Sequence, residues 1–407
     1  MRLSRKSALV IGALLASTGL ASAAEEITIG VIGPMSGPAA NTGVAARQAI
    51  ELAVKEWNEG RGPSQTANPP KVKLIFEDAQ SRPEVGVSAV NKLLTRDNVD
   101  LILGDTLNSS VSLAVMDLAE PFNRAIVSVE PVSTEIAKKI VSNPEKYKNV
   151  WKGNYNSDGY GNAVYGFYKW MIEQGHLKPK NKTIAFVIED TDYGKSNEQI
   201  ISELFAKDGW TTTAVEAVQP GHADFYPQLS KIRQNPPDIV VSVFTNASSG
   251  LAYVRQFQEQ GIEASNMGIY YPTKPEFIEQ VGQTGEGMVW ASLQYAPELY
   301  EGHKKFDDAI RAEYKIGSNY SHAHNYCVTN IVLKALEAAG SAEADKVSAE
   351  LAKTDYDCII GRYVFGKDDH TIMHGPDALP IPVAQIQNGK NVVLWPPVAK
   401  TGEFKQP

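Results

Sequence analysis

From Ile27 onward, short β-branched runs alternate with longer amphipathic stretches. Ile27–Ile32, Val72–Phe76, Leu101–Leu103 and Ala125–Val129 read as strands, and Val44–Trp57, Glu84–Leu94 and Ser109–Leu118 between them carry helical periodicity. Parallel strands need a crossover helix, and strands covered by helices on both sides are apolar on both faces. The rhythm therefore predicts an α/β domain with a parallel sheet. After a break at Ser142-Asn143-Pro144 and the segment Val150-Trp151-Lys152, the rhythm starts again. Helices are expected over Tyr160–Gln174, Asn197–Ala206, Phe225–Arg233 and Ser249–Gln260, and strands over Thr183–Ile188, Thr211–Val218 and Ile239–Phe244. This reads as a second doubly wound domain. Beyond Gly287 come a strand, Met288–Ser292, helices over Lys304–Glu313, Tyr326–Ala339 and Lys346–Ala352, and a strand-rich tail with Val383–Gln387 and Val392–Leu394. That tail lacks the repeats for a third core and is expected to complete the earlier two.

The first residues change the picture from fold to destination. Arg2, Arg5 and Lys6 precede an apolar run from Ala8 to Leu20 and then Ala21-Ser22-Ala23, the three parts of a cleavable secretory signal. The run is well short of the roughly 20 residues that span a bilayer, so residues 1–23 are expected to be removed and the rest released into the periplasm. No cysteine precedes Cys327, so none is present at the cleavage point to carry a lipid. The formal net charge of −8 is the wrong sign for a phosphate-binding surface, and no nucleic-acid partner is expected. Cys327 and Cys358, in an oxidising compartment, read either as one bridge or as two buried thiols.

In open parallel sheets, ligands bind beyond the carboxyl ends of the strands. That directs attention to three loops: Gly33-Pro34-Met35-Ser36-Gly37-Pro38, Gly104-Asp105-Thr106-Leu107-Asn108-Ser109-Ser110 and Glu130-Pro131-Val132-Ser133-Thr134. Asn108, Ser109 and Ser133 stand at expected helix starts, where they serve either as caps or as donors to a bound carboxylate. Tyr155, Tyr160, Tyr193, Tyr270 and Tyr271 cluster near loops and are candidate walls of a cleft, whereas Tyr165, Tyr168 and Trp170 have helical spacing and read as packing. Gly30-Val31-Ile32-Gly33 lacks the G-x-G-x-x-G spacing and is interrupted by Pro34, which argues against a nucleotide cofactor. No G-x-S-x-G elbow, H-E-x-x-H pair, Walker loop or C-x-x-C motif occurs, so no catalytic residue, metal or cofactor is assigned and an enzyme is not expected. His370 and His374 fall in a turn-rich stretch, and His322 and His324 read as satisfied surface histidines at a helix start.

Several of these segments, taken in order, resemble the leucine/isoleucine/valine-binding protein family, the type I periplasmic binding proteins of branched-chain amino acid importers. The pieces are Ile29 to Pro38, Phe76-Glu77-Asp78-Ala79, Asp100 to Gly104 leading into Asn108-Ser109-Ser110, Asp192-Tyr193-Gly194, Asp224-Phe225-Tyr226 and Pro237-Asp238-Ile239-Val240. The resemblance implies two Rossmann-like lobes joined by a hinge of several crossings, with a ligand cleft between them. The division expected is 24–152 with about 292–360 for one lobe and 153–291 with about 361–407 for the other. It further implies that Asn108, Ser109, Pro131 and Ser133 hold a carboxylate, that Tyr193 closes from the second lobe, and that Phe244, Thr245 and Tyr271 complete the site. Two departures stand out. Where amino-acid binders of this family pair an acidic residue with the ligand ammonium, this chain reads Tyr270-Tyr271-Pro272, with no carboxylate until Glu276, which leaves Glu130 to supply that charge. Pro131 also lacks an N–H. The expected protein is a monomeric solute-binding component of an ABC importer that closes on a small solute and passes it to membrane permease subunits. A sensor module for an aromatic acid or amide, or an exported hydrolase, are the alternatives.

Overall fold

The computed structural model describes residues 26–66, 69–292, 295–297, 300–375 and 377–406. The expected leader and the Glu276 side chain lie outside the described residues. Five parallel strands build the first sheet: β1 (Ile27–Gly33), β2 (Val72–Asp78), β3 (Leu101–Leu103), β4 (Ala125–Ser128) and β5 (Val150–Lys152), in the order β2-β1-β3-β4-β5. β3, β4 and β5 are buried along their whole lengths, as strands covered on both faces must be. Helix Ala40–Asn58 lies against one face together with helix Tyr320–Ala339, so residues far down the chain complete this lobe.

The second sheet has seven strands: β6 (Thr183–Glu189), β7 (Thr211–Val218), β8 (Ile239–Phe244), β9 (Ser265–Tyr270) and β10 (Val289–Ala291), with β13 (Val383–Gln387) and β14 (Lys390–Trp395) from the tail. Its order is β14-β13-β10-β9-β8-β6-β7, parallel through β10 and antiparallel where β13 and β14 join. β7 is the outer strand and, after three exposed residues, shows the alternating exposure of a half-solvated edge. A separate hairpin, β11 (Asp355–Cys358) with β12 (Gly361–Val364), has strands of only four residues, too short to stand out in the sequence. Cys358 on it is bonded to Cys327 on helix Tyr320–Ala339, which resolves the cysteine pair as a bridge.

The chain passes between the sheets three times: after β5, after β10, and between β12 and β13. The first and third passages run side by side, with the Lys152 N–H donating to the His370 carbonyl (2.9 Å) and the Ile372 N–H to the Lys152 carbonyl (3.1 Å). The second is tied in by Tyr160, whose hydroxyl meets Ser292 Oγ at 3.2 Å. Helix Tyr320–Ala339 starts six residues earlier than the apolar pattern indicated, because Asn319 and His322 form a reciprocal cap there. His322 and His324 are therefore buried rather than on the surface: His322 meets Gln48 Oε1 at 3.0 Å, and His324 bonds the Tyr363 hydroxyl and the Val129 carbonyl.

Candidate functional site

The carboxyl ends of β3 and β4 face those of β6, β8 and β9, and the loops beyond them meet. Two adjoining cavities lie at the junction. One is lined by Asn108, Ser109 and Ser110 of the first lobe and by Glu189, Tyr193 and Thr245 of the second. The other is lined by Glu130, Val132 and Asn154 from one side and Tyr160, Tyr193, Thr245 and Tyr270 from the other. Direct bonds cross the gap. The Thr134 N–H donates to Ser196 Oγ (3.1 Å), the Asp192 N–H to Ser110 Oγ (3.5 Å), and the Tyr270 hydroxyl to Glu130 Oε2 (2.6 Å).

Asn108 stands immediately before helix Ser109–Val115 but does not cap it with its side chain; its Oδ1 is buried without a protein partner. Ser109 Oγ instead accepts the Ser133 N–H at 3.1 Å, tying the two loops together, and Ser133 Oγ accepts the Glu135 N–H at 3.3 Å as a helix cap. Pro131 is buried and lines neither cavity. Tyr193, held at the first turn of helix Asp192–Ala206, lines both cavities, and its hydroxyl is buried with no protein partner. Thr245 donates through its N–H and hydroxyl to Glu189 Oε1, both at 2.9 Å.

Two assignments are corrected. Phe244 is fully buried among Phe225, Tyr253 and Tyr271, with ring centroids 5.2, 5.5 and 5.4 Å away. Tyr271 is equally buried, its hydroxyl on Ser242 Oγ (2.8 Å) and its ring edge-on to Phe277. Both belong to the apolar core of the second lobe. The reason is a turn: Tyr270 has φ 73°, so the chain reverses there, leaving the Tyr270 ring in the cleft and sending the next side chain back into the lobe. Tyr271 fits only because position 250 is glycine, where a Cβ would lie 2.1 Å from its ring.

The site also holds buried charged residues, of which Glu189 and Lys274 were not singled out in the sequence and Glu130 was. Glu189 closes an otherwise apolar strand, and that abrupt carboxylate was its one signal. Burial pushes its pKa up to about 7, against the opposing bonds from Thr245. Asp105 is likewise raised to about 7 by burial, while its Oδ1 accepts the Leu107 and Asn108 N–H groups (2.6 and 2.7 Å). Glu130 is raised by burial, with the charge of Lys274 acting against the rise. Asn325 Nδ2 donates to Glu130 Oε1 (2.9 Å), and Lys274 Nζ donates to the Tyr270 hydroxyl (2.8 Å) and to Ser321 Oγ (3.0 Å). Among the described residues, no group of three or more His, Cys, Asp or Glu side chains is placed to hold a metal ion. The arrangement can enclose and orient a small molecule.

A periplasmic binding protein family model matches residues 26–391, nearly the whole chain. The chain belongs to this family. As a periplasmic binding protein it is similar to a leucine-, isoleucine-, valine-, threonine- and alanine-binding protein of Pseudomonas aeruginosa, 26% identical over 87% of this chain and 90% of the relative. A Leu/Ile/Val-binding protein homologue of Brucella suis is 24% identical over 98% of both chains. These relatives place it among type I periplasmic binding proteins of the leucine/isoleucine/valine-binding kind, which are solute-binding proteins rather than enzymes. In fold it is similar to a putative branched-chain amino acid ABC transporter protein from Silicibacter pomeroyi, with TM-score 0.80 and 20% identity over 94% of this chain and 99% of that one. It is similar too to a Rhodopseudomonas palustris solute-binding protein crystallised with benzoate, with TM-score 0.76 and 17% identity over 91% and 95% of the two chains.

Proposed function

We propose that this periplasmic binding protein captures one small amino-acid-like or carboxylate solute between its lobes and delivers it to the permease of an ABC importer. The two bodies that close are residues 24–152 with about 292–360 and residues 153–291 with about 361–407. One observation carries the reading. Asn108 Oδ1 from the first lobe and the Tyr193 hydroxyl from the second are both buried, both unpartnered, and line one cavity. A buried polar group left unpaired costs about 1–3 kcal/mol, so two that converge from opposite lobes point to a ligand that satisfies both. Ser109 and Ser133 then act mainly by fixing the loops. A solute bound in this way favours the closed form only through contacts made in that form, and the closed shape is what a permease can distinguish.

Thermal denaturation of the processed chain against a panel of amino acids, aromatic acids and amides tests this. One chemical group is expected to raise the melting temperature in a concentration-dependent way, as a ligand bound only by the folded state must. The reading falls if no member of the panel shifts it.

A further inference from the structure

Glu130, which lines the second cavity, is linked through Tyr270 to Lys274 behind that wall. Glu130, 4% exposed, comes from the loop after β4 in the first lobe, and Lys274, also 4% exposed, from the turn after β9 in the second. Tyr270 stands between them, donating its hydroxyl proton to Glu130 Oε2 at 2.6 Å and accepting from Lys274 Nζ at 2.8 Å. Lys274 Nζ also lies over the Tyr270 ring, 4.4 Å from its centroid. Asn325 Nδ2 occupies the other carboxylate oxygen of Glu130. Of the cavity-lining groups, Glu130 and Glu189 are the carboxylates, and both oxygens of Glu189 accept from Thr245 Oγ1 at 2.9 Å. Glu130 is thus already coupled to a cation, whereas Glu189 is held by Thr245 alone.

A solute ammonium brought beside Glu130 would form a second cation around one buried carboxylate already coupled to Lys274. It would also lose its own hydration without a new counter-charge in return. We infer that Lys274, acting through Tyr270 on Glu130, sets the specificity of the cleft against ammonium-bearing solutes and for acids or amides that lack an amino group. The inference rests on the capture reading above and narrows it. The rings of Tyr160, Tyr193 and Tyr270 suit such a molecule, with apolar faces for its body and the unpartnered Tyr193 hydroxyl for its polar end.

The experiment, by titration calorimetry on the processed full chain, compares leucine with 4-methylpentanoate and phenylalanine with 3-phenylpropanoate, pairs that differ only at that position, and adds 4-methylpentanamide and 3-phenylpropanamide, in which the carboxylate is neutral as well. In each set a deaminated member is expected to bind at least ten-fold more tightly than the amino acid. Lys274→Met, which removes the internal cation, should shift that ratio toward the amino acid by about ten-fold. Tyr270→Phe keeps both charges but breaks the link between them, and it should shift the ratio the same way if the Lys274 variant fails to fold. An amino acid that binds the unaltered chain more tightly than its deaminated partners overturns the inference and leaves capture standing. If no member of either set binds at millimolar concentration, the capture of such acids falls and this inference falls with it.

Discussion

At the scale of single residues, the cleft separates groups that hold the protein together from groups whose partner is elsewhere. Tyr193 belongs to the second kind. Its hydroxyl is buried and unpartnered, so Tyr193→Phe removes an unsatisfied group and should leave the melting temperature of the solute-free protein unchanged or slightly higher. Solute binding should weaken by about ten-fold, the loss of one hydrogen bond of about 1.4 kcal/mol, measured by calorimetry. Equal losses of stability and affinity would instead make Tyr193 a packing residue. Titration gives a second residue-scale expectation. Glu189 and Asp105 have folded pKa values raised to about 7 from ordinary values of 4.5 and 3.8. The folded state thus holds protons that the unfolded state has released, and their contribution to stability is whole below about pH 4 and lost as pH rises through about 7. That loss is opposed below about pH 6.5 by His322 and His324, whose values burial lowers to about 4 and which add stability as pH rises, so Glu189→Gln should make the melting temperature climb more, or fall less, between pH 5 and 7 than in the unaltered chain. Lys152, lowered by burial to about 7, acts only above that pH and in the opposite direction. This scale was the least legible in the sequence. Tyr270 and Tyr271 are adjacent and chemically identical, and only the φ of 73° at Tyr270 decides which ring enters the cleft. Asn108 and Ser133 are both ordinary cap residues, yet one caps and the other does not.

At the scale of elements the sequence was far more informative, because burial on two faces leaves a continuous apolar run and burial on one leaves an alternating one. β8 is six consecutive buried residues and announces itself by that run, whereas β7, at the sheet edge, is exposed over its first three residues and alternates only after them. The hairpin of β11 and β12 alternates outward Asp355 and Asp357 with Tyr356 and Cys358, but four residues a strand are too few for that alternation to be read. Its place is set by the bond between Cys358 and Cys327, thirty-one residues apart. Closing a loop of that length restricts the unfolded chain by about 3–4 kcal/mol in the chain-entropy account. Reduction should lower the melting temperature by several degrees and leave solute affinity within about two-fold, since neither cysteine lines the cleft. A large loss of affinity on reduction would mean that the hairpin supports the site through helix Tyr320–Ala339, which supplies Ser321 and Asn325 to the charge network.

At the scale of the whole molecule, two lobes built on separate sheets touch through a small number of direct bonds across the cleft. Three neighbouring passages of chain join them, which suits rotation of one rigid body on another with little change inside either. The repeated β-α rhythm made the twin lobes readable, but the return of the tail into the second sheet is a long-range pairing that no local pattern specifies. If the lobes close as proposed, how far the closed form is populated depends on cross-cleft contacts that never touch the solute. The clearest is Ser196 Oγ accepting the Thr134 N–H, a bond between a helix of the second lobe and the first turn of a helix in the first. Ser196→Ala leaves that N–H without its acceptor when the lobes are shut, while water satisfies it when they part. Closure therefore becomes less favourable by about 1 kcal/mol, and the apparent affinity falls in proportion to the population that can close. A three- to ten-fold weaker Kd is expected, appearing mainly as faster solute release in stopped-flow measurements, with the solute-free melting temperature within about two degrees of the unaltered chain. Unchanged release kinetics would mean that the solute is held without the lobes meeting at Ser196, and closure by rotation onto that contact would have to be abandoned.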